Sequence, residues 1–222
     1  MSSIRLRRVS IGVLALIAAL ALLAAPAQAT KPPKVMAALG DSITPAFNTE
    51  ISATCPPRII PGTEPPTAFP SDCPKNSWST GTEPAVNSVF QRIEAIDPGR
   101  DPVAFNDAVS GARAEHLLAQ ARIAVTQDPD YVTVQIGAND ACRPTITEQT
   151  STADFRDDVE GALEALVAGD PKVFIQVVSI PDINQLHALF TNPVDSNALV
   201  RWQLLNVCQA LLANPTSTAE AD

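Results

Sequence analysis

Residues 35–44 read VMAALGDSIT, and this stretch decides the fold that the rest of the sequence is expected to adopt. Residues 35–39 form a short uncharged apolar run that ends at Gly40, which is the pattern of a buried strand. Ser42 follows two residues later, and the carboxyl end of a parallel strand is where α/β folds place their ligand crevice. Ser42 is therefore a candidate nucleophile, although a serine in such a turn also serves as an ordinary helix cap.

Outside this stretch, short apolar runs alternate with amphipathic segments, which is typical of βα units around a parallel sheet. Residues 45–84 are rich in proline, serine and threonine, show little periodicity and are predicted to form one long loop. Apolar runs predict three further strands, and apolar residues at helical spacing predict four helices. The strands are 103–106, 131–136 and 173–178, and the helices are 86–96, 115–125, 154–167 and 198–212.

The first 29 residues are predicted to be a secretory signal peptide rather than part of this fold. Three arginines precede an apolar run over residues 11–25, and residues 27–29 read AQA, an A-x-A cleavage site. The run is shorter than the roughly 20 residues that a bilayer-spanning helix needs, so a membrane anchor is disfavoured. We therefore expect residues 30–222 to form one secreted domain, exported by the general route rather than the twin-arginine route.

The net charge of the predicted domain narrows the classes of molecule that it is expected to bind. The sequence carries 15 basic and 24 acidic side chains. Residues 1–29 contain three arginines and no acidic residue, so the remaining domain has a net charge of 12 minus 24, or −12. A charge of this sign disfavours nucleic acid and anionic membrane surfaces as partners.

Four cysteines, an even number in an exported chain, predict disulfide bonds. The four cysteines can form two disulfides in three different pairings. We favour Cys55 with Cys73, which share one predicted loop, and Cys142 with Cys208, which flank one structural half. A zinc site is disfavoured, because no C-x-x-C motif or neighbouring histidine supports it.

Two further strand ends carry groups that suit the chemistry of a serine nucleophile. Residues 106–112 read NDAVSGA, and Gly111 in this segment leaves its backbone N–H accessible. Residues 137–140 read GAND and place the side-chain amide of Asn139 on the same edge of the sheet as Ser42. Amide N–H groups beside a nucleophile form an oxyanion hole, whereas an Asn-Asp turn after a strand is also common. Independent turns have little reason to coincide in this order, so the pattern favours a catalytic site.

These segments resemble the SGNH/GDSL hydrolase family, because GDSIT at 40–44, SGA at 110–112 and GAND at 137–140 are similar to its first three blocks. The resemblance covers roughly residues 34–206, since SIPD at 179–182 is similar to the secreted actinobacterial lipase and esterase branch. It implies a flavodoxin-like three-layer α/β/α sandwich around a parallel sheet, and a hydrolase without metal or organic cofactor. It also implies that Ser42 is the nucleophile, with an oxyanion hole made by the backbone N–H groups of Ser42 and Gly111 and by the Asn139 side chain.

The family's general base does not occur in the sequence. The resemblance implies an Asp-x-x-His motif near the C-terminus, and no such motif is present. His116 is predicted to lie on a helix surface, and His187 follows Asp182 by five residues rather than three. We therefore expect a C-terminally truncated domain, lacking the last strand, the last helix and the base, that is nearly inactive by itself.

Three functions are weighed on these grounds. The favoured one is a secreted lipase or esterase that cleaves a small-molecule or lipid ester through an acyl-enzyme. The alternative is a non-catalytic protein that binds an ester, glycan or lipid in the same crevice. A plain flavodoxin-like domain is disfavoured, because no glycine-rich phosphate loop is visible. The loop at 45–84 is expected to shape the pocket and so to influence ester preference.

Overall fold

The computed structural model places the described part of the chain from Pro32 onward in one compact unit. The predicted signal peptide lies outside the described residues. None of the helices within the described ranges is long and apolar enough to cross a bilayer. The structure describes residues 31–50, 52–56, 58–60, 67–69, 71–191, 197–204 and 206–213.

Strands and helices alternate along most of the chain, as the sequence predicts. Short 3-10 turns occur at Pro74–Asn76 and Ile146–Glu148, and a π-helical turn occurs at Gln209–Ala213. In chain order the longer elements are β1 (Val35–Gly40), β2 (Arg58–Ile60), β3 (Thr67–Phe69), α1 (Val89–Ile96), β4 (Val103–Asn106), α2 (Ala114–Val125), β5 (Tyr131–Gln135), α3 (Ala138–Ala141), α4 (Thr152–Gly169), β6 (Phe174–Val177), α5 (Ile183–Thr191) and α6 (Asn197–Leu204).

The central sheet is parallel and has the strand order β4-β1-β5-β6. Counted along the chain, these are the second, first, third and fourth strands of the sheet, which is the flavodoxin-like order. In the register, Ala37 of β1 lies between Phe105 of β4 and Val132 of β5. The first strand is therefore flanked on both sides, and its carboxyl end lies between the carboxyl ends of its two neighbours.

Alternate residues of the strands face two separate apolar layers. Ala37 and Leu39 of β1 and Val132 and Val134 of β5 are fully buried in a core that also contains residues of α2 and α4. Met36 faces the opposite side and packs with residues of α1. The sheet thus carries helices on both faces, and the predicted α/β fold with a parallel sheet is confirmed.

The helices begin where capping groups satisfy their first backbone N–H groups. Ser88 and Gln91 form a reciprocal capping box at the start of α1. Ser151 accepts the N–H of Asp154 at 3.1 Å and so caps α4. The helix α2 is capped from outside its own segment, because Asp140 accepts the backbone N–H of Ala114. This last contact links the predicted GAND segment to the first residue of α2, two residues beyond the predicted segment 106–112.

Both favoured disulfides are present, Cys55–Cys73 and Cys142–Cys208. The first lies within the long loop, where the backbone of Cys73 also donates to the carbonyl of Pro45 at 3.0 Å. The second joins the end of α3 to the π-helical turn, where Cys208 packs in a small apolar cluster with Trp202 of α6. The last described segment is thereby fastened beside α3.

Candidate active site

Ser42 follows the buried end of the central strand. Gly40 has a φ of +146°, and a side chain at this position would meet the carbonyl oxygen of Gln135 at 2.1 Å. A glycine is therefore required for β1 to end against β5 and turn out of the sheet. Asp41 is still fully buried, whereas Ser42 is half-buried and is the first partly accessible residue after the strand. Its carbonyl accepts the N–H of Phe47 at 3.0 Å, which closes the turn formed by residues 42–47.

Asp41 is a buried carboxyl group at the start of the serine turn. Its Oδ1 accepts the backbone N–H of Ile43 at 3.0 Å. Burial raises the pKa of Asp41, while the backbone N–H groups of Ile43 and Ala138 oppose that rise by favouring the carboxylate. The nearby carboxylate of Asp140 raises the same pKa further. Asp41 is thus a buried acid whose Oδ1 holds the residue after Ser42 and whose Oδ2 has no hydrogen-bond partner among the described residues.

Gly111 lies on an exposed turn after β4. Its φ is +86°, a left-handed conformation that favours glycine, and no atom lies within 4 Å of the position where a side chain would stand. The turn is fastened to the central strand, because Val109 donates its N–H to the carbonyl of Gly40 at 3.1 Å. Ser110 donates a hydrogen bond to the carboxylate of Asp72, which joins the same turn to the disulfide-bearing loop.

Asn139 lies in the first turn of α3, after Gly137 with its φ of +123°. Its Nδ2 donates to the carbonyl of Ala112 at 2.9 Å, next to Gly111. A side-chain amide nitrogen carries two hydrogens, so this bond orients the amide and leaves the second N–H for another acceptor. Asn139 is therefore an oriented hydrogen-bond donor beside the turn that contains Gly111.

The three predicted site residues thus follow three adjacent strands, with Ser42 after the middle one. Contacts from Asn139 to Ala112 and from Asp140 to Ala114 join the two flanking turns. The backbone N–H of Asp41 donates to the carbonyl of Gln135 at 3.2 Å, which joins the start of the middle turn to the end of β5. The sequence prediction that these segments share one edge of the sheet agrees with this placement.

The two histidines lie in helices. His116 is in α2 with its side chain 53% exposed, and its Nδ1 accepts the backbone N–H of Arg113 at 3.1 Å. The predicted position on a helix surface agrees with the structure. His187 is in α5 and its ring stacks on Trp202 at 6.1 Å. Asp182 accepts the backbone N–H of Gln185 at 2.8 Å, which is a helix-start role in α5.

One cluster of metal-ligating groups occurs among the described residues. It contains Glu50, Cys55 and Cys73, whose donor atoms lie within 4.8 Å of one another. Cys55 and Cys73 form a disulfide with each other, so neither sulfur is a thiolate that could bind a metal.

Sequence reasoning missed the buried glutamine that holds the end of β1. Gln120 of α2 accepts the N–H of Gly40 through Oε1 at 2.8 Å and donates to the Gly40 carbonyl through Nε2 at 3.0 Å. The signal lay in the helical pattern, because Gln120 stands among the buried positions Leu117, Ala121 and Ala124. A polar residue on a buried helix face calls for a specific partner.

The model of the GDSL-like lipase/acylhydrolase family matches residues 36–214. Among characterised proteins, membrane-associated phospholipase B1 of Rattus norvegicus is 28% identical over 171 residues, which are 65% of this chain and 12% of that protein. The phospholipase B1 of Homo sapiens is 34% identical over 141 residues, which are 51% of this chain and 10% of that protein. The chain therefore matches about a tenth of the length of these relatives.

Two solved structures are also similar. One is a protein from Desulfitobacterium hafniense DCB-2 whose name assigns it to the G-D-S-L family of lipolytic proteins, with 17% identity and a TM-score of 0.40 over 67% of this chain and 61% of that one. The other is LAE5, an alpha/beta hydrolase enzyme from the metagenome of Lake Arreo, with 20% identity and a TM-score of 0.39 over 66% of this chain and 59% of that one.

Proposed function

The chain belongs to the GDSL-like lipase/acylhydrolase family, and from this premise we propose that it is a secreted carboxylic ester hydrolase with Ser42 as its nucleophile. One observation carries the proposal. The middle strand of three ends at Ser42, and the two flanking strands lead to Gly111 and to Asn139, whose amide is oriented by the Ala112 carbonyl. The two disulfides suit an oxidising compartment such as the extracellular space.

In the proposed reaction, the Ser42 hydroxyl attacks the ester carbonyl and loses its proton to a base. The carbonyl oxygen becomes an oxyanion, and the backbone N–H groups of Ser42 and Gly111 and the second N–H of Asn139 stabilise it. Collapse breaks the bond to the alcohol oxygen, which takes up the proton and leaves an acyl-enzyme. Water then attacks the acyl-enzyme, which releases the acid and restores the serine hydroxyl.

The proposed substrate is a lipid ester. The related proteins in rat and human are named phospholipases. A cavity lined chiefly by apolar side chains such as Ile136, Phe155 and Val178 lies beside Gly137, which suits the uncharged acyl groups of such lipids. The sequence contains no Asp-x-x-His motif, so we propose that this chain alone turns over slowly. Loss of the base in a serine hydrolase costs on the order of a million-fold in kcat, and the oxyanion hole retains part of the catalysis.

The test is labelling of the oxidised protein by an alkyl fluorophosphonate, with the modified residue identified by mass spectrometry. We expect the label on Ser42, at a rate that rises when imidazole is added, because imidazole supplies a base. Asn139→Ala is expected to slow the reaction by about a hundredfold, the usual effect of losing one oxyanion donor. Ser151→Ala, which changes an exposed serine at the start of α4, is the matched control and should label at the wild-type rate.

A non-catalytic lipid-binding protein on the same fold is the second candidate. It is favoured by the contacts of His116, whose Nδ1 is engaged by the Arg113 N–H on the exposed face of α2. In that case Ser42 stays unlabelled with and without imidazole, or the label spreads over several serines. Either result would remove the hydrolase proposal and leave the binding function.

A further inference from the structure

A short segment of the long loop, residues 71–73, is fastened to the serine turn by its backbone. The N–H of Asn48, directly after that turn, donates to the carbonyl of Ser71 at 3.0 Å. The N–H of Cys73 donates to the carbonyl of Pro45, within the turn, at 3.0 Å. The segment therefore keeps a fixed position relative to the turn that begins at Ser42.

The side chain of Asp72 connects the same segment to the glycine turn, residues 109–112. Its Oδ1 accepts a hydrogen bond from the hydroxyl of Ser110, and both residues are half-buried. A hydrogen bond to a carboxylate is roughly twice as strong as one between neutral groups. Because Ser110 precedes Gly111, this bond acts directly beside the backbone N–H that is proposed to stabilise the oxyanion.

The glycine turn needs such a tie, because Gly111 has few contacts of its own. It is exposed, its φ is +86°, and no atom lies within 4 Å of the position of a side chain. The two ends of the turn are held elsewhere: Val109 donates its N–H to the end of β1 at 3.1 Å, and the carbonyl of Ala112 accepts Nδ2 of Asn139 at 2.9 Å. Asp72 holds the middle of the turn.

Asp72 lies between two residues that are anchored themselves. Cys73 is fully buried and forms the disulfide with Cys55. The hydroxyl of Ser71 donates to the carbonyl of Pro56 at 2.5 Å. A side chain that positions another group must be held in place by its own neighbours. The carboxylate of Asp72 is therefore a fixed acceptor rather than a mobile surface charge.

We propose that Asp72 is a positioning residue for ester hydrolysis, which acts through Ser110 to hold the Gly111 N–H in register with Ser42. Segment 71–73 thus ties together the two turns that supply the backbone donors of the oxyanion hole. Such donors stabilise the oxyanion only when they are aimed in advance at its position. This inference rests on the proposed function for its link to catalysis, whereas the tie between the turns is measurable without turnover.

The experiment follows the labelling of Ser42 by an alkyl fluorophosphonate at a fixed concentration of imidazole. The serine oxygen bonds to phosphorus, fluoride leaves, and imidazole takes up the hydroxyl proton. The rate constant at saturating probe reports on the oxyanion donors, and the half-saturating probe concentration reports on probe binding. Asp72→Ala should lower the rate constant about tenfold, less than the roughly hundredfold loss of a whole donor, and leave the half-saturating concentration unchanged.

A double-mutant cycle shows whether Asp72 acts through Ser110. Ser110→Ala should slow labelling as much as Asp72→Ala, and the double variant should be no slower than either. Asp72→Asn keeps an acceptor oxygen and should restore most of the rate. Asp157→Ala removes a carboxylate from an exposed position of α4 and is the matched control, with the wild-type rate expected. Effects that multiply in the double variant, or folded Asp72 variants that all label like the control, would overturn the proposal.

Amide hydrogen exchange separates this inference from the proposed function. The N–H of Ala112 bonds to the carbonyl of Val109 at 2.9 Å within the glycine turn, and it should exchange faster in Asp72→Ala than in the control. If Ser42 is never labelled but this exchange quickens, the hydrolase proposal fails and the tie stands without a catalytic role. If Ser42 is labelled while neither exchange nor labelling changes in folded Asp72→Ala, the hydrolase proposal stands and Asp72 positions nothing.

Discussion

At the scale of single residues, Asp41 is the buried acid on which the serine turn depends. It is fully buried, its Oδ1 accepts the Ile43 N–H at 3.0 Å, and its own N–H donates to the Gln135 carbonyl at 3.2 Å, so it links the residue after Ser42 to β5. An acid buried in this way has two opposing effects. Its Oδ1 satisfies the Ile43 N–H, whereas its Oδ2 is buried without a hydrogen-bond partner among the described residues, and its charge is costly to remove from water. Two substitutions separate these effects.

Asp41→Ala should lose the acceptor of the Ile43 N–H, and the loss of this hydrogen bond costs about 1 kcal/mol in the free energy of unfolding. Asp41→Asn keeps an acceptor oxygen and carries no charge, so it should be at least as stable as the wild type at neutral pH. Urea unfolding measures both. If Asp41→Asn were as destabilised as Asp41→Ala, the charge itself would be the stabilising element and this account would be wrong.

The difference in stability between Asp41→Asn and the wild type should change with pH in one direction. Burial raises the pKa of Asp41 above its usual 3.8 in the folded state. Ionisation therefore costs stability, and the cost grows as pH rises from 3.8 to the folded pKa and is constant above it. The stability advantage of Asp41→Asn over the wild type should shrink as pH falls through that window. A gap that widens toward acid would contradict the raised pKa.

At the scale of elements, α2 holds the end of β1 through Gln120, whose amide makes two hydrogen bonds to Gly40. Gln120→Leu should leave the buried Gly40 N–H without its acceptor and lower the free energy of unfolding by about 1–3 kcal/mol. Gln185→Leu makes the same change at an exposed position of α5 and should stay within about 0.5 kcal/mol of the wild type. Urea unfolding of the two variants checks this, and equal effects would show that Gln120 is not a specific tie.

The four sheet strands were predictable because each is a short apolar run. The predicted bounds agree with β1, β4, β5 and β6 within one residue at each end. The helices α2 and α4 were predicted from apolar spacing and begin one and two residues earlier than expected, because Asp140 and Ser151 cap them. The helix predicted over 86–96 starts only at Val89, because residues 86–88 form the turn and cap before it.

Other elements could not be predicted from local patterns. The pair β2 and β3 within the predicted loop is held by pairing between strands of three residues each, which is too short for a periodicity signal. The helix α5 was not predicted, and the predicted helix over 198–212 is instead α6 followed by the π-helical turn that ends in Ala213. The contact of that turn with α3 depends on Cys142–Cys208, a link that spans 66 residues and leaves no local trace in the sequence.

The candidate active site also contains some features that could be predicted from local sequence and others that could not. The placement of Ser42, Gly111 and Asn139 after three adjacent strands was predictable because each follows a recognisable strand, and their catalytic roles stay predictions. The roles of Gln120 and Asp72 were not, because each acts on a turn that is distant in sequence: 80 residues for Gln120 and Gly40, and 38 for Asp72 and Ser110.

At the scale of the whole molecule, the two disulfides constrain different parts of the chain. Cys55–Cys73 closes a separation of 18 residues within the long loop, and Cys142–Cys208 closes one of 66 residues. The chain-entropy account gives about 3 kcal/mol for the shorter loop and about 4 kcal/mol for the longer one. The longer link also has a local effect, since the N–H of Ala210 donates to the Arg143 carbonyl beside it at 3.1 Å.

Replacing both Cys142 and Cys208 with serine should therefore do more than lower the free energy of unfolding by about 4 kcal/mol. It should release the segment around Ala210 from the end of α3 and so loosen the turn that carries Asn139. Amide hydrogen exchange at residues 137–143 is the measurement, and exchange there should quicken well before global unfolding. The Cys55→Ser, Cys73→Ser double variant is the matched control, because it removes a disulfide within the long loop rather than one at the end of α3. If both double variants protect residues 137–143 equally, the Cys142–Cys208 link stabilises only the chain as a whole and has no part in positioning Asn139.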